Sequence, residues 1–249
     1  MWKKQNSLFL EEKIKEAIQF IKDNEPPEGY LVAFSGGKDS QVVYELVKLA
    51  GVKHQVYFSY AFEPPEVTSF IRSYYPEVRF IYAKMSMPKL IVHHGVPPLP
   101  QMRYCCGALK EYVKGHVVTG VRALESLRRK NHKRIYQKAK NDIKYNPILF
   151  WSDDDIWQFH QLFNLPHCSL YDEGYKRIGC VACCMKSPKQ RIQDLKRWKN
   201  FFKIYMNAFE NMLKAHPEKR IGRWKTAKDV MTWWLNGQGQ ELFDENTKI

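Results

Sequence analysis

At 249 residues the chain can bury one substantial core with a smaller appendage at most. It is 44% hydrophobic and 27% charged, and no apolar run approaches the roughly 20 residues needed to span a bilayer. Residues 1–7 lead straight into an amphipathic pattern rather than an apolar signal segment, so a cytoplasmic protein is expected. A formal net charge of +14 fits either a basic solvated surface or a polyanionic partner. Nucleic acid ranks ahead of a membrane surface, because no lipid-anchor motif is present.

Ile14, Ala17, Ile18 and Ile21 recur at helical spacing, which predicts a helix over 7–23 closed by Pro26 and Pro27. The run 30–34 is apolar without alternation, as in a strand buried on both faces of a parallel sheet. The turn Ser35-Gly36-Gly37-Lys38-Asp39-Ser40 follows directly and opens a helix marked by Val42, Val43, Leu46, Val47 and Leu49, with Gly51 as its C-cap. A strand over 55–60, a helix over 65–75 beginning at Pro65 and a strand over 78–82 continue the alternation. Residues 84–103 are proline-rich and read as a long loop, 104–114 as helical, and 116–121 as a further strand. The alternation predicts an α/β fold with a doubly wound, mainly parallel sheet.

The texture then changes. The segment 122–144 is strongly basic and reads as partly mobile. Ser152 before Asp153, Asp154 and Asp155 has the pattern of a helix N-cap with an acidic first turn. Between 185 and 230 the sequence has 13 Lys/Arg against 4 Asp/Glu, interleaved with aromatic residues. The expected division is a nucleotide-binding domain over 1–184 and a basic, aromatic-rich helical extension over 185–249.

A glycine turn between a buried strand and a helix is a phosphate site with a physical mechanism. Gly36 and Gly37 let backbone N–H groups approach an anion closely, and the helix N-terminus adds partial positive charge. Ser35 and Ser40 supply hydroxyls, Lys38 mobile positive charge, and Asp39 a cap or a ligand for Mg²⁺ beside the phosphates. The Walker spacing is absent. An ordinary tight turn would explain the glycines, but not the ordered Ser, Lys, Asp and Ser around them.

Of six cysteines, five fall in two clusters, Cys105-Cys106 and Cys180-x-x-Cys183-Cys184. In a reducing compartment this points to metal or thiol chemistry rather than disulfides. Four thiolates suit an iron–sulfur cluster or zinc, with reactive or structural thiols as the third alternative. Cys184 stands as a spare thiol, either a catalytic sulfur carrier or a packed small residue. Cys168 reads as a packed cysteine. Arg122, directly after a predicted strand, and Arg129, seven residues on, would clamp phosphate or sulfate oxygens, against the alternative of a solvated basic face. Lys110, four residues past the first cysteine pair, would lie over the cluster or the phosphates.

These residues carry a resemblance. The turn Ser35 to Ser40 resembles the PP-loop of ATP pyrophosphatases, which adenylate a substrate and release pyrophosphate. Three further stretches are Arg103-Tyr104-Cys105-Cys106, Gly120-Val121-Arg122-x-x-Glu125-Ser126-x-x-Arg129 and Tyr145-Asn146-Pro147-Ile148 with Asp155-Ile156-Trp157. With Leu170 to Cys183, they resemble the phosphoadenosine-phosphosulfate reductase family in order. The resemblance implies the adenine nucleotide alpha hydrolase-like fold. It also implies that Cys105, Cys106, Cys180 and Cys183 hold a [4Fe–4S] cluster, as in the adenylylsulfate-reducing branch, with zinc second.

Two departures separate the sequence from the sulfonucleotide reductases. No cysteine follows Cys184 in the segment ending Glu241 to Ile249, where those enzymes carry their nucleophilic cysteine. The phosphate loop is also the intact ATP type. The expectation is therefore an enzyme close to the iron–sulfur DNA phosphorothioation-type sulfurtransferases. It would use ATP to adenylate an acceptor, release AMP and pyrophosphate, and transfer sulfur to DNA or tRNA with a cysteine desulfurase or other sulfur donor. Its catalytic residues would be Lys38, Asp39 and Cys184. The alternatives are a reductase producing sulfite and a non-catalytic nucleotide- and cluster-binding module.

Overall fold

The computed structural model describes residues 2–125, 129–222 and 224–236. Ser126 of the arginine motif and the terminal stretch 241–249 lie outside the described residues.

The chain forms two compact units. The first comprises Met1–Ser59, Pro65–Ile81 and Val113–Ile178. It holds the sheet built from β1 (Tyr30–Ala33), β2 (His54–Tyr60), β3 (Arg79–Tyr82), β4 (His116–Val118), β5 (Ile135–Ala139) and β6 (Asp142–Tyr145). The strand order is β3-β2-β1-β4-β6-β5. β1 is parallel to β2, with Val32 opposite Val56, and to β4, with Val32 opposite Val118. β6 is parallel to β4, and β5 runs antiparallel to β6 at the edge. The order reverses between β1 and β4, the topological switch point at which doubly wound sheets bind ligands beyond the strand C-termini. The predicted fold is thus the observed one.

Helices α1 (Trp2–Asp23), α2 (Lys38–Ala50) and α3 (Pro65–Tyr74) fall where the apolar periodicity places them. Ala17 and Ile21 of α1, and Val42, Val43, Leu46 and Val47 of α2, are buried. Gly51 ends α2 in the left-handed conformation (φ 69°), its N–H bonded to the Lys48 carbonyl.

The second unit joins Tyr60–Pro64, Tyr82–Tyr112 and Gly179–Ile249. It contains α4 (Met87–His94), α5 (Tyr104–Leu109), α7 (Pro188–Arg197), α8 (Lys199–Ala215), α9 (Pro217–Gly222) and α10 (Ala227–Asn236), while α6 (Asp153–Leu162) belongs to the first unit. Tyr205, Phe209 and Trp234 are buried and pack ring to ring, with centroids 4.7–6.0 Å apart. Most C-terminal aromatics near helical spacing are therefore core. The compact units thus divide the chain differently from a boundary at residue 184: both cysteine clusters lie with the C-terminal helices.

Two segments differ from expectation. α4 occupies the stretch read as a loop. Its proline falls in the first helical turn, where the missing N–H costs nothing, and Gly95 closes it at φ 64°. The basic segment 122–144 contains β5 and most of β6. β5 is an exposed edge strand of sequence IYQKA, whose ladder hydrogen bonds define it without the apolar alternation that a sequence reading relies on.

Candidate nucleotide site and thiol centre

In the first unit, β1 delivers the chain into the glycine turn and α2 begins at Lys38. Gly36 has φ +72°, and a Cβ there would meet Ile71 Cγ1 at 2.9 Å and Val67 Cγ1 at 3.2 Å. Glycine is thus required both by the left-handed conformation and by the close approach of α3. Gly120, after β4, is required by packing alone: a Cβ would lie 3.0 Å from the Asp39 carbonyl carbon.

Hydroxyls satisfy the turn. Ser40 Oγ accepts from Ser35 N–H (3.1 Å) and donates to the Gly37 carbonyl (2.8 Å), and Ser35 Oγ is 3.2 Å from Ser40 Oγ. The first amide of α2, Lys38 N–H, donates to Tyr171 Oη at 3.0 Å. A phenolic oxygen thus sits on a donor of the kind that binds phosphate at a helix N-terminus. Burial raises the Tyr171 pKa, so this oxygen is a neutral hydroxyl.

Lys38 and Arg122, expected to clamp phosphates, are only 4% and 3% exposed and are neutralised internally. Lys38 Nζ lies 2.9 Å from Asp153 Oδ1 and 3.2 Å from Asp39 Oδ2. Arg122 uses Nε on Asp39 Oδ1 (2.6 Å), Nη2 on Asp153 Oδ1 (2.6 Å) and Nη1 on the Trp151 carbonyl (3.2 Å). Two cations and two carboxylates form one closed network. It holds the Asp153 carboxyl below the ordinary range, through the Lys38 hydrogen bond first and the Arg122 charge after it. Asp153 enters from the first turn of α6, whose Ser152–Asp155 capping box forms as predicted. Its spacing identified it only as a helix-start residue; its place between two distant cations is a tertiary fact.

Beside the turn lies a cavity of about 190 Å³ lined by Ser35, Gly37, Asp39, Ser40, Glu125, Arg129, Tyr171 and Arg177 among others. Glu125 pairs with Arg129 and, at 2.9 Å, with Arg177. Arg129 lines the cavity. Arg177 is a further cation that the sequence reading passed over, because it lies within the stretch dominated by Cys180 and Cys183.

In the second unit, Cys105, Cys106, Cys180, Cys183 and Cys184 together line one small cavity with Lys110 and Tyr205. All six cysteines are free, and Cys168, in the first unit, is fully buried. Thiol contacts run from Cys106 to Cys105, from Cys105 to Cys184 and from Cys184 to Cys183, so Cys184 touches one cysteine of each cluster. The cavity is only about 20 Å³, room for about one water.

The 179–186 turn is held by Asp194, 2% exposed, whose Oδ2 accepts from Ala182 N–H (2.7 Å) and Lys186 Nζ (2.6 Å). Ala182 itself adopts φ +52°. Val181 N–H donates to the Phe62 carbonyl and Tyr205 Oη to the Val181 carbonyl. Burial first, then the Glu63 charge, pushes the Cys180 thiol up to about 11 against the opposing Lys110 ammonium. Lys110 pairs with Glu63 at 2.6 Å. Cys183 is lowered by its contact with Cys184. Among the described residues no group of three or more His, Cys, Asp or Glu is placed to hold a metal ion. The donor chemistry around the cavity, all thiols with one cation and no imidazole, still suits a thiolate-bound centre. Among the described residues no helix is long and apolar enough to cross a membrane.

Residues 95–186 match the phosphoadenosine phosphosulfate reductase domain model. An uncharacterized protein of Methanocaldococcus jannaschii is 28% identical over 88% of this chain and 49% of its own length. Adenosine 5'-phosphosulfate reductase 2 of Bacillus subtilis is 33% identical over 36% of this chain and 39% of its own. The chain thus spans about half the first relative and less of the second. In fold it is similar to the phosphoadenylyl-sulfate reductase of Candida auris, with TM-score 0.51 and 16% identity over 69% of this chain and 93% of that one. The chain thus carries, over residues 95–186, a match to the phosphoadenosine phosphosulfate reductase domain, and its doubly wound sheet is similar in fold to a phosphoadenylyl-sulfate reductase.

Proposed function

We propose that this protein binds ATP on the turn Ser35 to Ser40, adenylates an acceptor with release of pyrophosphate, and couples that step to sulfur transfer onto nucleic acid. The observation that carries the reading is the turn itself. An ATP-type serine–glycine loop opens a helix N-terminus onto a cavity walled by Asp39, Arg129 and Arg177.

In this reading an acceptor oxygen attacks the α-phosphorus, the bond to pyrophosphate breaks, and the pyrophosphate leaves with the electron pair. Backbone N–H groups of the turn and the Ser35 and Ser40 hydroxyls bind the phosphate oxygens. Tyr171 yields the Lys38 amide to one of them. Asp39 faces the cavity where Mg²⁺ would sit on the phosphate chain. Lys38 and Arg122 stand behind Asp39 and hold it in place. Hydrosulfide-level sulfur then displaces AMP from the adenylated acceptor, and the proton of HS⁻ passes to solvent. Cys105, Cys106, Cys180 and Cys183 would hold a [4Fe–4S] cluster, with Lys110 as the balancing charge, and Cys184 would carry sulfur as a persulfide, whose outer sulfur leaves at the hydrosulfide level when a dithiol reductant supplies two electrons and is oxidised to its disulfide. Such a cluster, when bound, supplies iron that can hold a sulfur atom or relay electrons. Free thiols of this density fit a reducing cytoplasm.

The test is anaerobic turnover of [α-³²P]ATP with DNA or tRNA added, alongside iron and sulfide counts. AMP release dependent on the acceptor is expected. No AMP with any acceptor, with the metal centre intact, overturns adenylation, and a zinc-only protein overturns the cluster. A second reading, sulfite production from an adenylylated sulfate, is favoured by the domain match over residues 95–186. It requires thioredoxin-dependent sulfite release from adenylylsulfate.

A further inference from the structure

Glu125, whose side chain is 8% exposed, holds two arginines that are distant in sequence: Arg129 on one carboxylate oxygen and Arg177 on the other, Arg177 at 2.9 Å. All three line the cavity beside the glycine turn. One carboxylate and two guanidinium groups leave a net positive charge. Burial, then the Arg177 charge, lowers the Arg129 pKa while Asp39 opposes. Two like charges are therefore gathered against their mutual repulsion, and Arg177 is 59% exposed. The buried pair Lys38 and Arg122, by contrast, has its charge cancelled by Asp39 and Asp153. The uncompensated positive charge of the cavity therefore sits on the Arg129–Arg177 wall, facing the turn.

We propose that Arg129 and Arg177 form a clamp for a phosphate oxyanion, with Glu125 as the positioning residue that presents both guanidinium groups to the cavity. The proposal rests on nucleotide binding at the turn. The oxyanion is either a phosphate of the nucleotide's own chain or a backbone phosphate of a nucleic-acid acceptor, and both offer the same bidentate geometry to arginine.

The experiment measures binding of ATP, AMP and adenosine, and separately of a single-stranded oligonucleotide, to the full chain and to Arg177→Ala, Arg177→Lys and Glu125→Gln. If the nucleotide supplies the oxyanion, Arg177→Ala weakens ATP by about tenfold or more, as loss of a hydrogen bond to a charged group predicts. In that case it weakens AMP less and leaves adenosine unchanged. If the acceptor supplies it, oligonucleotide binding weakens instead, and its salt slope falls by about one counterion. Arg177→Lys recovers only part, since an ammonium lacks the fork. Glu125→Gln is the sharper arm. It adds a net positive charge, so simple electrostatics predicts tighter binding, whereas loss of positioning predicts weaker binding of the same ligand that Arg177→Ala affects. Unchanged binding of every phosphate ligand in Arg177→Ala, or tighter binding in Glu125→Gln, overturns the clamp. A wild-type protein that binds no nucleotide at all would instead overturn the underlying reading. An unchanged melting temperature in Arg177→Ala guards against misfolding as the cause.

Discussion

Replacing Arg122 by methionine keeps the volume of the side chain and removes its charge from the network beneath the glycine turn. Three groups lose a donor: Asp39 Oδ1, Asp153 Oδ1 and the Trp151 carbonyl. Breaking a buried pair by removing one partner costs about 3–5 kcal/mol when the orphaned charge stays dry. Here Asp153 is 69% exposed and rehydrates, so its share falls to about 1 kcal/mol or less. Asp39, 20% exposed, keeps Lys38 at 3.2 Å, while the Trp151 carbonyl loses its Arg122 donor, at about 1–3 kcal/mol. The sum is about 1–4 kcal/mol, which for a chain of this size lowers Tm by about 2–16 °C. Denaturant and thermal unfolding at pH 7 measure it. Arg122→Lys should recover less than half, because one ammonium cannot reach three acceptors set around a planar fork. A loss under about 0.5 kcal/mol, the range of ordinary surface substitutions, would refute the view that this network holds the site together.

Asp153→Asn removes one of the two carboxylates that cancel the Lys38 and Arg122 charges, so the potential at the turn becomes more positive and nucleotide affinity should rise even as stability falls. Titration calorimetry with ATP checks this, and weaker binding would show Asp153 to be part of the binding apparatus. Because the Asp153 pKa is depressed in the folded protein, its stabilisation is present above the unfolded value of about 3.9 and is lost as pH falls through the folded value. The Tm gap between wild type and Asp153→Asn should therefore close below about pH 4. Gly36→Ala places a Cβ 2.9 Å from Ile71 at φ +72°; a cost of about 1–3 kcal/mol and weakened ATP binding are expected by the same assays. Asp194→Asn removes the charge that holds Ala182 N–H and Lys186, and hydrogen exchange at the Ala182 amide should quicken by about tenfold while α8 amides keep their protection.

The alternation of apolar strands with amphipathic helices, the glycine turn and the Ser152 capping box were legible from sequence because each is a local code. Buried parallel strands need continuous apolar runs, a left-handed turn needs glycine, and a helix start needs a side chain for its unpaired N–H groups. The same logic failed at α4, where Pro88 signalled a break although it occupies the first turn, and at β5, whose strand character comes from its neighbour's hydrogen bonds.

The site divides along the same line. The glycine turn and the two cysteine clusters could be named from spacing. It took the tertiary structure to set Asp153 between Lys38 and Arg122, to bring Tyr171 onto the Lys38 amide, to join Arg177 to Arg129 through Glu125, and to bring Cys184 against one cysteine of each cluster. Local conformation is written in neighbouring residues; charge compensation and hydrogen-bond completion depend on which distant groups share a small volume, and that is settled only when the chain has folded.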